Sequence, residues 1–252
     1  MFDGLLRTWP KPHRHRAVLF IARDMTSEIQ RHRMDIPQIP RSRATSPLNV
    51  LLIDDQPIVH EGYKRLLQRI DKSIRVHSST SAKGGYLTYG DIHPQVVVLE
   101  MTLADGSGLE VMKRLLKRDP KAKVILSSAH ESPIYIARAH ELGAAGYLCK
   151  RSAVPKLVSA ITSVAAGGTF FCKCAADDLA SDEPMPLDRL SNREFDVFRL
   201  LAEGHRASEI AEFLNISPKT ASVHQTRIMA KLGLSNLAQL ARLAIRHDII
   251  SF

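Results

Sequence analysis

The chain has 252 residues, 44% hydrophobic and 24% charged, with a formal net charge of +9. These proportions exclude wholesale disorder, the length points to two domains, and the positive balance favours a polyanionic partner such as nucleic acid. Its three cysteines, Cys149, Cys172 and Cys174, are too few for a disulfide scaffold and poorly arranged for zinc, and no apolar run reaches the about 20 residues of a membrane span, so a cytoplasmic protein without membrane contact is expected.

Residues 1–47 carry five prolines and scattered arginine without apolar periodicity, which predicts a basic, disordered arm. The arm reads as a non-specific DNA contact, as a tail without a role, or as a start placed too early, since Met25 and Met34 lie downstream. From residue 48 to 170 short apolar runs alternate with helical periods. Strands are predicted at 49–53, 74–77, 95–99, 123–126 and 146–149, each followed by a helix. Five such units with continuously apolar strands imply a doubly wound parallel α/β sheet covered on both faces. Residues 171–189 hold a net −3 charge and two prolines, which suggests an acidic linker. Residues 190–252 then form a small all-α unit. Its first helix opens with a capping box, Ser191 with Glu194; a short second helix is expected to be capped by Ser208; a third begins at Pro218 and stops at Gly233; a fourth spans 236–246.

In a parallel sheet the site lies at the carboxyl ends of the strands. The polar residues there are Asp54, Asp55, Glu100, Ser128 and Lys150. Clustered carboxylates call for a cation, and Asp55 with Glu100 are the candidate ligands for Mg²⁺, although no cofactor is required. This pattern resembles a response-regulator receiver domain. In that family two acids follow the first strand, a phospho-accepting Asp ends the third, Ser or Thr ends the fourth and Lys ends the fifth. Asp54, Asp55, Ser128 and Lys150 match, and Tyr147 matches the aromatic that rotates on activation. The acceptor position holds Glu100 instead, and Ala104 replaces a usual proline. Glu is one methylene longer than Asp, and in-line attack depends on placement to about an ångström, so acyl-phosphate formation is disfavoured. Three readings follow: a carboxylate that imitates the phosphorylated state, an inert receiver kept for dimerisation or another signal, or a receiver that still takes a phosphoryl group.

The short helix, tight turn and longer helix of the second unit make a helix-turn-helix, whose exposed third-helix face suits the DNA major groove. Leu190-Ser-x-Arg-Glu, Glu209-Ile-Ala and the run from Ile216 to Gly233 resemble the LuxR-type helix-turn-helix. Receiver plus LuxR-type domain is the NarL/FixJ response-regulator architecture. The resemblance implies that Ser222, Val223 and Thr226 face base edges and that Lys219, Thr220, Arg227 and Lys231 meet phosphates. It also implies a homodimer, with Leu237, Leu240 and Ala244 of the fourth helix as its surface. The expected function is transcriptional regulation on double-stranded DNA by a degenerate receiver acting without phosphorylation, not enzymatic catalysis. The alternatives are a conventional regulator served by a sensor kinase and an adaptor that uses its pseudo-receiver to hold another regulator.

Overall fold

The computed structural model describes residues 47–129, 132–150, 153–172 and 186–250. The basic arm up to residue 46, the linker from 173 to 185 and Cys174 lie outside the described residues.

The first domain alternates β1 (Asn49–Ile53), α1 (Pro57–Ile70), β2 (Arg75–Ser79), α2 (Ala82–Ile92), β3 (Val96–Glu100), the short hairpin strands β4 (Thr102–Leu103) and β5 (Gly106–Ser107), α3 (Gly108–Arg118), β6 (Val124–Ser128), α4 (Pro133–Glu141), β7 (Gly146–Cys149), α5 (Ala153–Ala165) and β8 (Phe170–Phe171). The main sheet is wholly parallel, in the order β2-β1-β3-β6-β7-β8. The chain reverses direction of growth between β1 and β3, so a crevice opens where these strands end. Alternate residues face opposite layers. Val50, Leu52, Val96, Val98, Ile125 and Leu148 pack against Tyr63 and Leu67 of α1 and Leu157, Ile161 and Val164 of α5. Leu51, Ile53, Val97, Leu99, Leu126 and Tyr147 face the side of α2, α3 and α4.

The expected five strands are present, and β8 adds a sixth. Phe171, assigned by sequence to the linker, belongs to this edge strand, because Gly146 lets its backbone come close: a Cβ on Gly146 would stand 2.5 Å from the Phe170 carbonyl oxygen. Two residues without alternation carry too little pattern to signal a strand.

A short 3-10 turn (Pro186–Arg189) leads into α6 (Asn192–Ala202), α7 (Ala207–Leu214), α8 (Pro218–Leu232) and α9 (Leu237–Arg246). The capping box forms as expected: Ser191 N–H donates to Glu194 Oε2 at 2.8 Å, and Glu194 N–H donates to Ser191 Oγ at 3.3 Å. Ser208 is not the cap of α7. That helix starts one residue earlier, and Glu209 reaches back to accept from Arg206 N–H at 2.6 Å. Asn215 takes a left-handed conformation (φ 51°) at the turn, and Gly233 (φ 65°) ends α8 in a conformation that glycine adopts without steric cost. Leu240 and Ala244 are fully buried within the chain, with α9 packed on α6, so the expected dimer face of α9 is core; Leu237 alone of the three is 46% exposed. A three-helix unit this small needs a fourth apolar stripe to close its core.

The two domains share one core cluster. The ring of Tyr135 on α4 meets Phe195 on α6 edge-on at 5.3 Å. Beside them, Arg138 lies 4.2 Å over the Phe195 ring and donates to Asn192 Oδ1 at 2.8 Å, to the Leu187 carbonyl at 2.8 Å and to the Leu190 carbonyl at 3.0 Å. Ser132 Oγ donates to the His247 carbonyl at 2.7 Å, and Ser107 Oγ donates to Asp196 Oδ1 at 2.9 Å. No helix among the described residues is long and apolar enough to cross a membrane.

Candidate functional site

Four strands bring the receiver pocket together. Asp54 follows β1, Glu100 ends β3, Ser128 ends β6 and Lys150 follows β7. Lys150 Nζ lies 2.6 Å from Glu100 Oε2 and 2.7 Å from Asp54 Oδ2. The second oxygen of each acid accepts a backbone N–H: Thr102 N–H donates to Glu100 Oε1 at 3.1 Å, and Gln56 N–H donates to Asp54 Oδ1 at 2.9 Å. Both carboxylates are nearly inaccessible, Asp54 at 5% and Glu100 at 6% exposed. Burial pushes the Glu100 carboxyl up from its ordinary value, against the pull of the Lys150 ammonium and the Thr102 N–H. Burial also works against the charge on Lys150, but Glu100 and Asp54 outweigh it and hold the amine above its ordinary value. An ammonium between two buried acids therefore stays charged.

A glycine fixes where Glu100 sits. Gly108 N–H donates to the Met101 carbonyl at 2.8 Å, and a Cβ on Gly108 would collide with the Glu100 carbonyl oxygen. The start of α3 can press on the end of β3 only because residue 108 has no side chain.

Tyr147 and Ser128 are fully buried. Burial raises the Tyr147 phenol well above its ordinary value, and its hydrogen bond with Ser128 acts in the opposite sense. The expected switch residues Ser128, Tyr147 and Lys150 are thus brought to one end of the sheet with Glu100 and Asp54. Asp55 differs. It is partly exposed, and the ion pairs of Lys150 go to Asp54 and Glu100. The expected Asp55–Glu100 ligand pair for Mg²⁺ does not assemble, and among the described residues no group of three or more His, Cys, Asp or Glu is placed to hold a metal ion. The reason is the added methylene, which carries the Glu100 carboxylate to Lys150, so this donor arrangement does not fit Mg²⁺.

The second site is α8. Ser217 caps it, accepting from Thr220 N–H at 3.0 Å, and Pro218 fills the first turn without losing a needed donor. Ala221 and Ile228 are buried, which turns Lys219, Thr220, Ser222, Val223, Thr226 and Arg227 outward. Val223 is 42% exposed, unusual for a branched apolar residue on a helix with a core to fill. The Ser222 hydroxyl donates back to the Pro218 carbonyl at 3.0 Å, and Thr226 donates to the Ser222 carbonyl at 3.1 Å. Their hydroxyl protons are engaged within the helix, leaving lone pairs outward. Lys231 is partly exposed but lies 2.6 Å from Glu194 Oε2, so it also ties α8 to the capping box of α6.

Residues outside the sequence expectations matter as well. Arg138 shares the buried face of α4 with Ile134 and Tyr135, and a charged residue at that spacing on an apolar face was the available signal. Asp196 is buried on α6, where burial lifts its carboxyl to about 6 despite nearby Arg199 and its bond from Ser107. The adjacency of Cys149 and Cys172 has no local signal, since it depends on β8 joining β7.

Comparison with known proteins agrees with this geometry. Residues 50–162 match the family model of the response regulator receiver domain, and residues 188–244 match that of the bacterial regulatory proteins of the luxR family. The chain is 35% identical to the transcriptional regulatory protein MctR of Rhizobium johnstonii over 205 residues, 81% of this chain and 96% of that protein. It is 32% identical to the response regulator UvrY of Escherichia coli over 209 residues, 80% of this chain and 95% of that protein. A structure of two RcsB dimers bound to two parallel DNAs superposes with a TM-score of 0.51 at 26% identity, covering 79% of this chain and 98% of that one. The chain belongs to the response regulators of the NarL/FixJ type, DNA-binding two-component regulators that join a receiver domain to a LuxR-family helix-turn-helix.

Proposed function

We propose that this chain is a cytoplasmic regulator that binds double-stranded DNA as a homodimer and whose receiver is set by Glu100 rather than by phosphoryl transfer. The observation that carries the reading is the 2.6 Å ion pair between Glu100 Oε2 and Lys150 Nζ, at the acceptor position the family resemblance assigns. A phosphorylated acceptor would bring negative oxygen to that lysine, and the longer glutamate brings one permanently, with less charge and fewer oxygens. The buried Tyr147 bonded to Ser128 accords with a receiver held in its inward arrangement.

On the DNA side, Lys219 and Arg227 supply phosphate contacts, with Thr220 and the exposed part of Lys231. Val223 offers an apolar contact suited to a thymine methyl, and Ser222 and Thr226 present acceptors to base donors. Residues 190–252 carry a net charge of only +2, so a monomer would hold DNA weakly. A dimer on two half-sites compensates, and the RcsB relative is dimeric on DNA. The retention of Asp54, Ser128, Lys150 and Tyr147 in one pocket favours a second reading, a conventional regulator phosphorylated by a sensor kinase.

The test is binding of the purified chain to genomic DNA fragments without a phosphodonor, wild type beside Glu100→Gln, with labelling by a small acyl phosphate of wild type and Glu100→Asp. Tight specific binding by wild type, loss in Glu100→Gln, and labelling of Glu100→Asp alone are expected. Equal labelling of wild type and Glu100→Asp, or DNA binding that rises only after donor treatment, would establish the conventional reading instead.

A further inference from the structure

The structure brings Cys149 and Cys172 together at the edge of the sheet. Cys149 ends β7, and Cys172 follows the two-residue strand β8, its N–H donating to the Tyr147 carbonyl at 3.0 Å. Their sulfurs lie 2.7 Å apart, within hydrogen-bond reach, and both residues are buried in the core cluster that contains Tyr147. Neighbouring parallel strands place residues offset by one position about 5–6 Å apart at Cα, inside the range a disulfide spans. A two-residue edge strand whose residues are half-exposed opens at small free-energy cost, which admits a small oxidant to sulfurs otherwise covered. In a reducing compartment such a pair is not a structural staple but a reversible one.

The location gives the pair something to act on. Cys149 is register-paired with Ser128 across β6 and β7, is separated by one residue from Tyr147, and directly precedes Lys150. The thiol of Cys172 also acts electrostatically on the Tyr147 phenol. A covalent link between Cys149 and Cys172 would fasten β8 to the end of β7 that carries the switch residues.

We propose that Cys149 and Cys172 form a peroxide-responsive thiol–disulfide site that alters the Tyr147–Lys150 end of β7. Cys172 sulfur attacks a peroxide oxygen; an S–O bond forms, the O–O bond breaks and one water leaves, giving a sulfenic acid. Cys149 sulfur then attacks that sulfur; the S–S bond forms, the S–O bond breaks, and the departing hydroxide takes the thiol proton as a second water. Two thiols lose two electrons and two protons, and the peroxide is reduced to two waters. A cellular dithiol reverses the step by exchange.

The experiment uses the full chain, reduced, treated with hydrogen peroxide, alkylated and mapped as non-reduced peptides, with amide exchange of the Tyr147–Lys150 peptide followed in both forms. A Cys149–Cys172 peptide is expected in wild type and in Cys174→Ser, removed by dithiothreitol and absent in Cys172→Ser. Amide exchange at Tyr147–Lys150 is expected to slow at least threefold on oxidation. No intramolecular link, a link from Cys149 to Cys174, or a link that leaves this exchange unchanged overturns the proposal. Since the map is read on wild type, a variant that fails to fold does not remove the test. A DNA-affinity arm rests on the proposed function: at least a threefold difference between oxidised and reduced chain is expected. Absence of DNA binding in both forms would count against that function, while the map and the exchange still decide the redox site.

Discussion

Replacing Arg138 with alanine removes the central fastening between the two domains. The guanidinium makes three hydrogen bonds, to Asn192 Oδ1, the Leu187 carbonyl and the Leu190 carbonyl, and covers the Phe195 ring at 4.2 Å. Arg138 is 5% exposed, so water cannot simply take its place. Each charge-assisted bond to a buried acceptor is worth about 1.5–3 kcal/mol, and the ring contact about 0.5–2 kcal/mol. These do not add, because Asn192 and the turn before α6 relax when released, so the expected loss is about 3–5 kcal/mol. That is a fall of roughly 150- to 5000-fold in the equilibrium constant for domain docking. Small-angle scattering and urea unfolding read it directly. Wild type is expected to be compact, with one unfolding transition for the shared core. Arg138→Ala is expected to expand and to unfold in two steps. Arg138→Lys, which keeps the charge but loses the planar fork, should recover only a minor part. An unchanged radius of gyration together with an unchanged single transition in Arg138→Ala would refute the argument that this residue couples the domains.

Asp196 makes the same interface sensitive to pH. Its carboxyl, lifted to about 6 by burial, binds a proton more readily docked than exposed, so its stabilising effect is full below about 4 and is lost as pH rises through about 6. Melting temperature should therefore gain from acidification between pH 7 and 5 in wild type, and Asp196→Asn should flatten that slope; an identical slope in both would contradict the assignment. Gly108→Ala should destabilise the receiver by about 1–3 kcal/mol in urea, because the new Cβ displaces the Glu100 backbone; a neutral effect would mean that α3 does not position Glu100. Lys231→Ala should lower the stability of the helical domain by up to about 1 kcal/mol, as its ion pair with Glu194 is partly exposed. It should also flatten the salt dependence of DNA binding, whereas Val223→Ala should change site preference with little change in salt slope. The same response from both variants would end the division into phosphate and base contacts.

The sequence by itself determined the parallel sheet, the helix-turn-helix and the membership of the pocket, because those features are written locally. Continuous apolar runs marked β1, β3, β6 and β7, and the acid, hydroxyl and lysine of the pocket stood at their carboxyl ends. Ser191 with Glu194, and Pro218 with Gly233, bounded helices through bonds that span three residues or fewer or through a single backbone angle. What only the tertiary structure decided depends on distances between segments far apart in the chain. That Lys150 engages Asp54 and Glu100, leaving Asp55 aside, follows from the reach of one extra methylene across the crevice. That Leu240 and Ala244 are core rather than a dimer face depends on how α9 closes over α6. That Arg138 and Asp196 face the other domain, and that Cys149 and Cys172 meet, depends on domain docking and on an edge strand too short to announce itself. Periodicity tells which face of an element is buried; it does not tell what that face is buried against.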